Sequence, residues 1–254
     1  MIRPRVIPTL LIDDRNLVKT RKFNNPVYLG DPINAIKIFN EKGVDELAVM
    51  DITASSRKAE PDYELLEKMA SEAFMPLSYG GGIKTIDQMK RLFRIGYEKV
   101  IVNTSFVENM DLIKEASEYF GSQSIVCSID YRKSIFGLNC FIFDGKQKTK
   151  YRPQELAKKA EQMGAGEIIL YCMDRDGQRT GYDLGLISEI SQNVGIPVIA
   201  CGGADNVRDM NEALKAGASA VAAGSMFVFF GKKQAVLINY PTERKLLEAG
   251  VYTL

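Results

Sequence analysis

The 254 residues predict a (β/α)8 TIM barrel built from two homologous (βα)4 half-barrels. Three observations carry that expectation. Short apolar runs alternate with helix-period segments along the whole chain. Two of the runs end in glycine turns, Gly80-Gly81-Gly82 and Gly202-Gly203. The second turn repeats the first at a fixed offset, Pro197 standing 197 − 76 = 121 residues after Pro76. The offset holds without a gap from Pro32 to Phe106, pairing Pro32 with Pro153, Glu46 with Glu167, Asp62 with Asp183 and Gly96 with Gly217. The half-repeats are expected at about 1–120 and 121–240, within one barrel domain spanning 1–254. Either half alone would leave an apolar sheet edge unpaired, so the two are expected to close on each other. A doubly wound open sheet is the alternative, but it gives no reason for so even a repeat.

Strand one is expected at Arg5 to Leu10, followed by a polar loop from Leu11 to Tyr28. Asp31 and Pro32 open helix one, an acid at the cap and a proline where no N–H is needed, and Gly43 ends it. Strand two follows at Glu46 to Asp51, helix two at about Asp62 to Ala73 and strand three at Pro76 to Tyr79. Helix three, from about Ile86 to Arg94, stops at Gly96. Strand four is Lys99 to Asn103 and helix four about Met110 to Tyr119. Strand five is Ser124 to Asp130. The alternating segment 135–150 around Asp144-Gly145 carries a hairpin signal and reads as an insertion after it. Helix five (Pro153 to Met163), strand six (Glu167 to Cys172), helix six (Asp183 to Gln192) and strand seven (Pro197 to Cys201) repeat the first half. Helix seven (Val207 to Lys215), strand eight (Ala220 to Gly224) and a last helix between about Thr242 and Ala249 complete the set.

Composition excludes several functions. A net charge of +1 gives no electrostatic case for nucleic acid or a membrane surface. The segment Met1 to Arg5 lacks the apolar core of a signal peptide, and no apolar run approaches membrane-spanning length. Cys127, Cys140, Cys172 and Cys201 show no CxxC spacing and are expected to be reduced and mostly buried in strands, in a cytoplasmic protein. With no histidine in the chain, imidazole bases, Ser-His triads and the common zinc sites are ruled out. No metal and no cofactor are expected.

In such a barrel the ligand site lies at the carboxyl ends of the strands. Strands three and four end in Gly81-Gly82 and Asn103-Thr104, and their repeats in Gly202-Gly203 and Gly224-Ser225. Glycine turns let backbone N–H groups crowd an anion, and two of them suit a ligand with a phosphate at each end. Inherited turn glycines with no ligand are the plainer alternative. Asp176 and Gly177 are placed at the same mouth. Asp130 ends strand five, where a carboxylate serves as acid or base, or merely as a loop cap. Its twin falls on Leu11, at an offset of 130 − 11 = 119, and leucine cannot move a proton. Arg5, Glu46, Lys99 and Glu167 begin strands one, two, four and six. Either they meet water, or they turn inward and pair as a ring that plugs or gates the barrel floor.

Together with Asp51-Ile-Thr-Ala-Ser-Ser56, Phe120-Gly-Ser-Gln123, Met173-Asp-Arg-Asp-Gly177 and Gly181-Tyr-Asp183, these residues resemble the HisF family, the cyclase subunit of imidazole glycerol phosphate synthase. The resemblance runs from Arg5 to about Phe229 and implies a (β/α)8 barrel. A HisH-like glutaminase would dock on its amino-terminal face, and ammonia would pass a charged gate matching Arg5, Glu46, Lys99 and Glu167. The family's phosphate positions match Gly81, Gly82, Asn103, Thr104, Asp176, Gly177, Gly202, Gly203, Gly224 and Ser225. Its loop lysine matches Lys19, and its two catalytic aspartates match Asp130 and Leu11, so one is lost. Gate residues kept beside a lost acid resemble the HisF-like proteins of surface-polysaccharide clusters, the WbuZ type, as does the tail from Gly224 to Pro241. That resemblance implies ammonia delivery to a separate sugar amidotransferase making an acetamidino sugar. A histidine-pathway cyclase, a HisA-like phosphosugar isomerase and a plain phosphosugar-binding module are the alternatives.

Overall fold

Side chains alternate across each strand, so one set fills the barrel lumen and the other meets the helices. Ile7, Ala48, Val126, Ile169, Ile199 and Ala220 pack inside. Val6, Leu10, Val49, Val100, Ile129 and Leu170 lie in the layer between strands and helices. The computed structural model describes residues 3–135, 137–231 and 233–253; Met1 and Ile2 of the amino-terminal segment and Phe136 of the expected hairpin lie outside them.

Eight parallel strands make the barrel: Arg5–Asp13, Leu47–Asp51, Leu77–Gly80, Lys99–Val102, Ile125–Ser134, Glu167–Cys172, Val198–Cys201 and Ala220–Ala223. Each pairs with the next, and strand eight returns to strand one through Arg5↔Ala220 and Ile7↔Ala222. The junction between the halves is equally continuous, with Glu167↔Val126 and Tyr171↔Asp130. No edge is left open in the ring, the fold class that the sequence predicts.

The repeat extends to the helix caps. The Asp62 carboxylate accepts from the Leu65 N–H, and that of Asp183, its counterpart, from the Leu186 N–H. Thr85 and Asn206 each close a capping box. Pro32 and Pro153 each open a helix, Pro32–Lys42 and Pro153–Gln162. Asn103 (φ −115°, ψ −76°) and Gly224 (φ −106°, ψ −70°) start matching short helices with nearly the same backbone.

Two expectations are corrected. Leu11 to Tyr28 is not a loop: strand one runs on to Asp13, the antiparallel strand Asn16–Arg21 folds back on it, and Asn24–Gly30 pairs in turn with Asn16–Arg21. Its two tight turns, Asp14-Arg15 and Lys22-Phe23, have φ of +48°, +65°, +52° and +63°. Such turns usually carry Asn-Gly, and these residues conceal them. Strand five likewise runs past Asp130 to Ser134 and pairs with Gly137–Ile142, which pairs in turn with Gln147–Lys148. The Asp144-Gly145 turn is present, but the sheet it belongs to begins in strand five itself. Among the described residues no helix is long and apolar enough to cross a membrane.

Candidate functional site at the carboxyl mouth

The residues at the carboxyl ends of the strands border two clefts. The first, about 820 Å³ with its open mouth included, is bordered by Leu11, Gly81, Gly82, Asn103, Thr104 and Asp130. The second, about 270 Å³, is bordered by Asp176, Gly177, Gly202, Gly203, Gly224 and Ser225. Tyr171 borders both, and the Phe23 ring packs edge-on against it with centroids 4.8 Å apart. The hairpin after strand one therefore sets an aromatic pair between the two halves of the mouth.

Glycine is required at the turns by packing. Gly82 has φ +68°, and a Cβ there would lie 2.5 Å from the Ala59 carbonyl oxygen. Gly203 has φ +111°, and its Cβ would lie 2.1 Å from the carbonyl oxygen of Gly181. Close backbone approach thus accounts for these glycines whether or not an anion sits over them.

Asp130 and Leu11 face the first cleft from strands four steps apart on the eight-strand ring, its opposite sides. Asp130 is buried, and the Ser128 hydroxyl donates to its Oδ1 at 2.8 Å. Burial pushes its carboxyl up to about 7; the Ser128 hydrogen bond pulls it back and the charge of Asp144 adds to the rise. A carboxyl poised there exchanges a proton near neutral pH. Leu11, 3% exposed, offers only an apolar wall.

Lys19 borders neither cleft. Its ammonium is buried and donates to Asp176 Oδ1 at 2.6 Å and to the Thr20 carbonyl oxygen at 3.0 Å. The Thr20 hydroxyl donates to Asp176 Oδ2 at 2.8 Å, and the Tyr171 hydroxyl to Oδ1 at 3.2 Å. The network ties the hairpin down on the Asp176 turn, and it brings Lys19 beside Gly224, where a Cβ would meet Lys19 Cε at 2.9 Å.

At the opposite end of the barrel the four charges close a ring. Arg5 donates to Glu46 through Nη1 and to Glu167 Oε1 through Nη2, the latter at 2.6 Å. Lys99 Nζ donates to Glu46 Oε2 at 2.9 Å and to Glu167 Oε2 at 3.1 Å. Each cation bridges both carboxylates, which offsets their desolvation. Above the ring the lumen is mainly apolar, and the buried Thr9 Oγ1 has no hydrogen-bond partner among the described residues.

Sequence reasoning missed Asp144 as a site residue, since Asp144-Gly145 read only as a turn. Its carboxylate borders the first cleft and accepts from the Ser56 N–H at 3.1 Å. Arg179, ion-paired with Asp205, was also missed and borders the second cleft. No sequence pattern marks either side chain, because hairpin and turn geometry alone aim them. Among the described residues no group of three or more His, Cys, Asp or Glu is placed to hold a metal ion, and all four cysteines are free and buried.

The family model described as "Histidine biosynthesis protein" matches residues 5–234. A putative imidazole glycerol phosphate synthase subunit hisF2 of Pseudomonas aeruginosa is 51% identical over 248 residues, covering 97% of this chain and 99% of the relative. A putative imidazole glycerol phosphate synthase subunit HisF of Leptospira interrogans is 46% identical, covering 95% and 96%. The imidazole glycerol phosphate synthase subunit HisF of Streptomyces griseus subsp. griseus is 42% identical, covering 89% and 90%. With the barrel, the repeated glycine turns and near full-length similarity in hand, the chain belongs to the histidine biosynthesis protein family, among its HisF members.

Proposed function

We propose that this chain is the barrel subunit of a glutamine-dependent synthase of the imidazole glycerol phosphate synthase type. A HisH-like glutaminase on the amino-terminal face releases ammonia, which enters through the charged ring and crosses the lumen to a phosphorylated ligand at the mouth. The observation that carries this reading is the ring itself: four paired charges at the floor of a lumen that leads to a cleft holding Asp130. An ion-pair ring can pass a small neutral molecule when one cation swings aside. Lys99 is the mobile member, its two bonds at 2.9 and 3.1 Å being made by a single flexible ammonium. The Thr9 hydroxyl, without a hydrogen-bond partner among the described residues, offers a hydrogen-bonding stop in a mainly apolar passage. At the mouth Asp130 holds or releases the proton that ring closure and bond cleavage require, and the glycine turns orient the phosphates.

Ammonia-driven turnover of the histidine-pathway substrate, phosphoribulosylformimino-AICAR ribonucleotide, tests this directly. Ammonium salt at alkaline pH replaces the glutaminase, and Leu11→Asp is run beside the wild type. Cyclase-like turnover by the wild type supports the reading; no turnover by either protein refutes cyclisation at this mouth.

Leu11 favours a second reading. General acid–base catalysis by a paired carboxylate contributes roughly 100- to 10,000-fold, and the apolar wall opposite Asp130 forfeits that share. On this reading the barrel conducts ammonia to a separate sugar amidotransferase. A wild type that is silent with ammonium but forms a stable complex with a glutaminase would support it, and failure to bind a glutaminase counts against both readings.

A further inference from the structure

A separate pocket lies behind the first glycine turn, outside the lumen. Ile12, Leu65, Leu66 and Tyr79, all of the layer between strands and helices, border it, and Asp51 borders both this pocket and the first cleft. Its volume is about 560 Å³ with the open mouth included, within the range of roughly 300–1,000 Å³ that small-molecule sites occupy.

Tyr79 is 1% exposed, and its hydroxyl has no hydrogen-bond partner among the described residues. That hydroxyl lies just under the turn, where a Cβ at Gly81 would meet it at 3.1 Å. Burial, and after it the charge of Asp51, push the phenol well above its ordinary value, so it stays protonated and lacks only an acceptor. Phenylalanine would fill the same space without leaving a buried donor unsatisfied.

The half-barrel repeat explains why space is left here. Tyr182 repeats Pro61 (182 − 61 = 121), and Tyr131 repeats Ile12 (131 − 12 = 119). Both of those tyrosine hydroxyls are in use, one donating to Asp183 Oδ2 at 3.3 Å and the other to the Ala222 carbonyl oxygen at 3.1 Å. The first half has smaller side chains at both positions and carries its tyrosine at 79, where the second half has Ala200 (200 − 79 = 121).

The lining selects the ligand. Asp14, Asp51, Glu60 and Asp62 outnumber Arg15 and Arg57 among the described residues that border the pocket, which disfavours an anion. Both arginines are engaged, Arg15 with Asp62 at 3.4 Å and Arg57 with Asp13 at 3.0 Å. An ammonium group brings no acceptor for the Tyr79 hydroxyl, whereas an alcohol both donates and accepts. Carbon-bound faces of the same molecule would rest on Ile12, Ala54 and Leu65.

We propose that this pocket binds a small neutral polyol, one hydroxyl accepting from Tyr79 and others donating to the Glu60 and Asp62 carboxylates. The site is independent of the proposed function, since neither turnover nor a glutaminase enters it.

Saturation-transfer NMR on the full chain, with glycerol and with inositol as probes, tests it. Both polyols receive saturation from the wild type. Tyr79→Phe weakens their binding at least fivefold while the chain stays folded, because no bond within the protein is lost. Ala59→Phe, at an exposed position on the pocket's edge, blocks both probes. Glycerol phosphate and ethanolamine, an anion and a cation of similar size, displace neither. No transfer to either polyol on the wild type overturns the inference. So does transfer that both variants leave unchanged, which then arises elsewhere on the surface, and so does displacement by either charged compound. None of these outcomes bears on the proposed function.

Discussion

Replacing Asp130 by asparagine should stabilise the barrel above neutral pH, although the residue sits at the centre of the candidate site. Asp130 is 8% exposed, and burial, with the charge of Asp144 adding to it, has carried its carboxyl from 3.8 to about 7. In the unfolded chain it ionises near 3.8. Between about pH 4 and pH 7 the folded state therefore binds more protons than the unfolded state, and stability falls as pH rises through that window. At about 1.4 kcal/mol per unit, the penalty above pH 7 is on the order of 4 kcal/mol. Asparagine avoids the charge and keeps an oxygen to accept the Ser128 hydroxyl. The variant and wild type should thus be similar near pH 4 and diverge to a few kcal/mol by pH 8, the variant being more stable. Urea unfolding of both proteins at pH 4.5 and pH 8 measures the difference, and subtraction cancels the shared groups that do not interact with Asp130. A difference that does not change with pH would refute the argument, because the raised carboxyl of Asp130 is its only source.

The charged ring predicts a loss of stability when one member is removed. Glu46→Ala leaves Arg5 and Lys99 sharing Glu167, and should cost about 3–5 kcal/mol by thermal or urea unfolding. Lys99→Ala should alter glutamine-dependent turnover more than ammonium-driven turnover, measured with a glutaminase partner present and absent; equal effects would place Lys99 outside the ammonia route. Lys19→Met strands the buried Asp176 carboxylate and should also cost about 3–5 kcal/mol, much of it recovered in a Lys19→Met, Asp176→Leu double variant. Gly43 and Gly82 separate two causes of glycine dependence. Both have positive φ, but nothing lies within 4 Å of a Cβ at Gly43, whereas one at Gly82 meets a carbonyl oxygen at 2.5 Å. Gly43→Ala should cost about 1–2 kcal/mol from backbone conformation alone, and Gly82→Ala distinctly more.

The barrel was legible because its signals are local and occur twice. Proline at a helix start, an acid at the cap and glycine at the end mark Pro32–Lys42, and the same marks 121 residues later remove the ambiguity of any single match. The paired glycine turns were legible for the same reason. The hairpin from Asn16 to Gly30 was hidden because its turns use Asp-Arg and Lys-Phe, residues that adopt left-handed φ only when sheet pairing holds them there. Once the hairpin is folded down, Lys19 is drawn out of the mouth and onto Asp176, which sequence cannot show. Asp144 was seen as a turn residue because sequence reports backbone tendency there, and the direction of its side chain depends on Ser56, 88 positions away.

The ring at the barrel floor also constrains how this chain can change over generations. Arg5 touches both glutamates, and so does Lys99, so the four contacts form a closed cycle of even length. Any single replacement that removes a charge leaves two like charges sharing one partner. Paired changes of opposite charge are therefore tolerated better than single ones. The mouth has no such lock at Leu11, whose apolar side chain takes part in no ion pair. Change at the floor is therefore coupled across four strands of the barrel, whereas Leu11 at the mouth has no charge partner to bring with it.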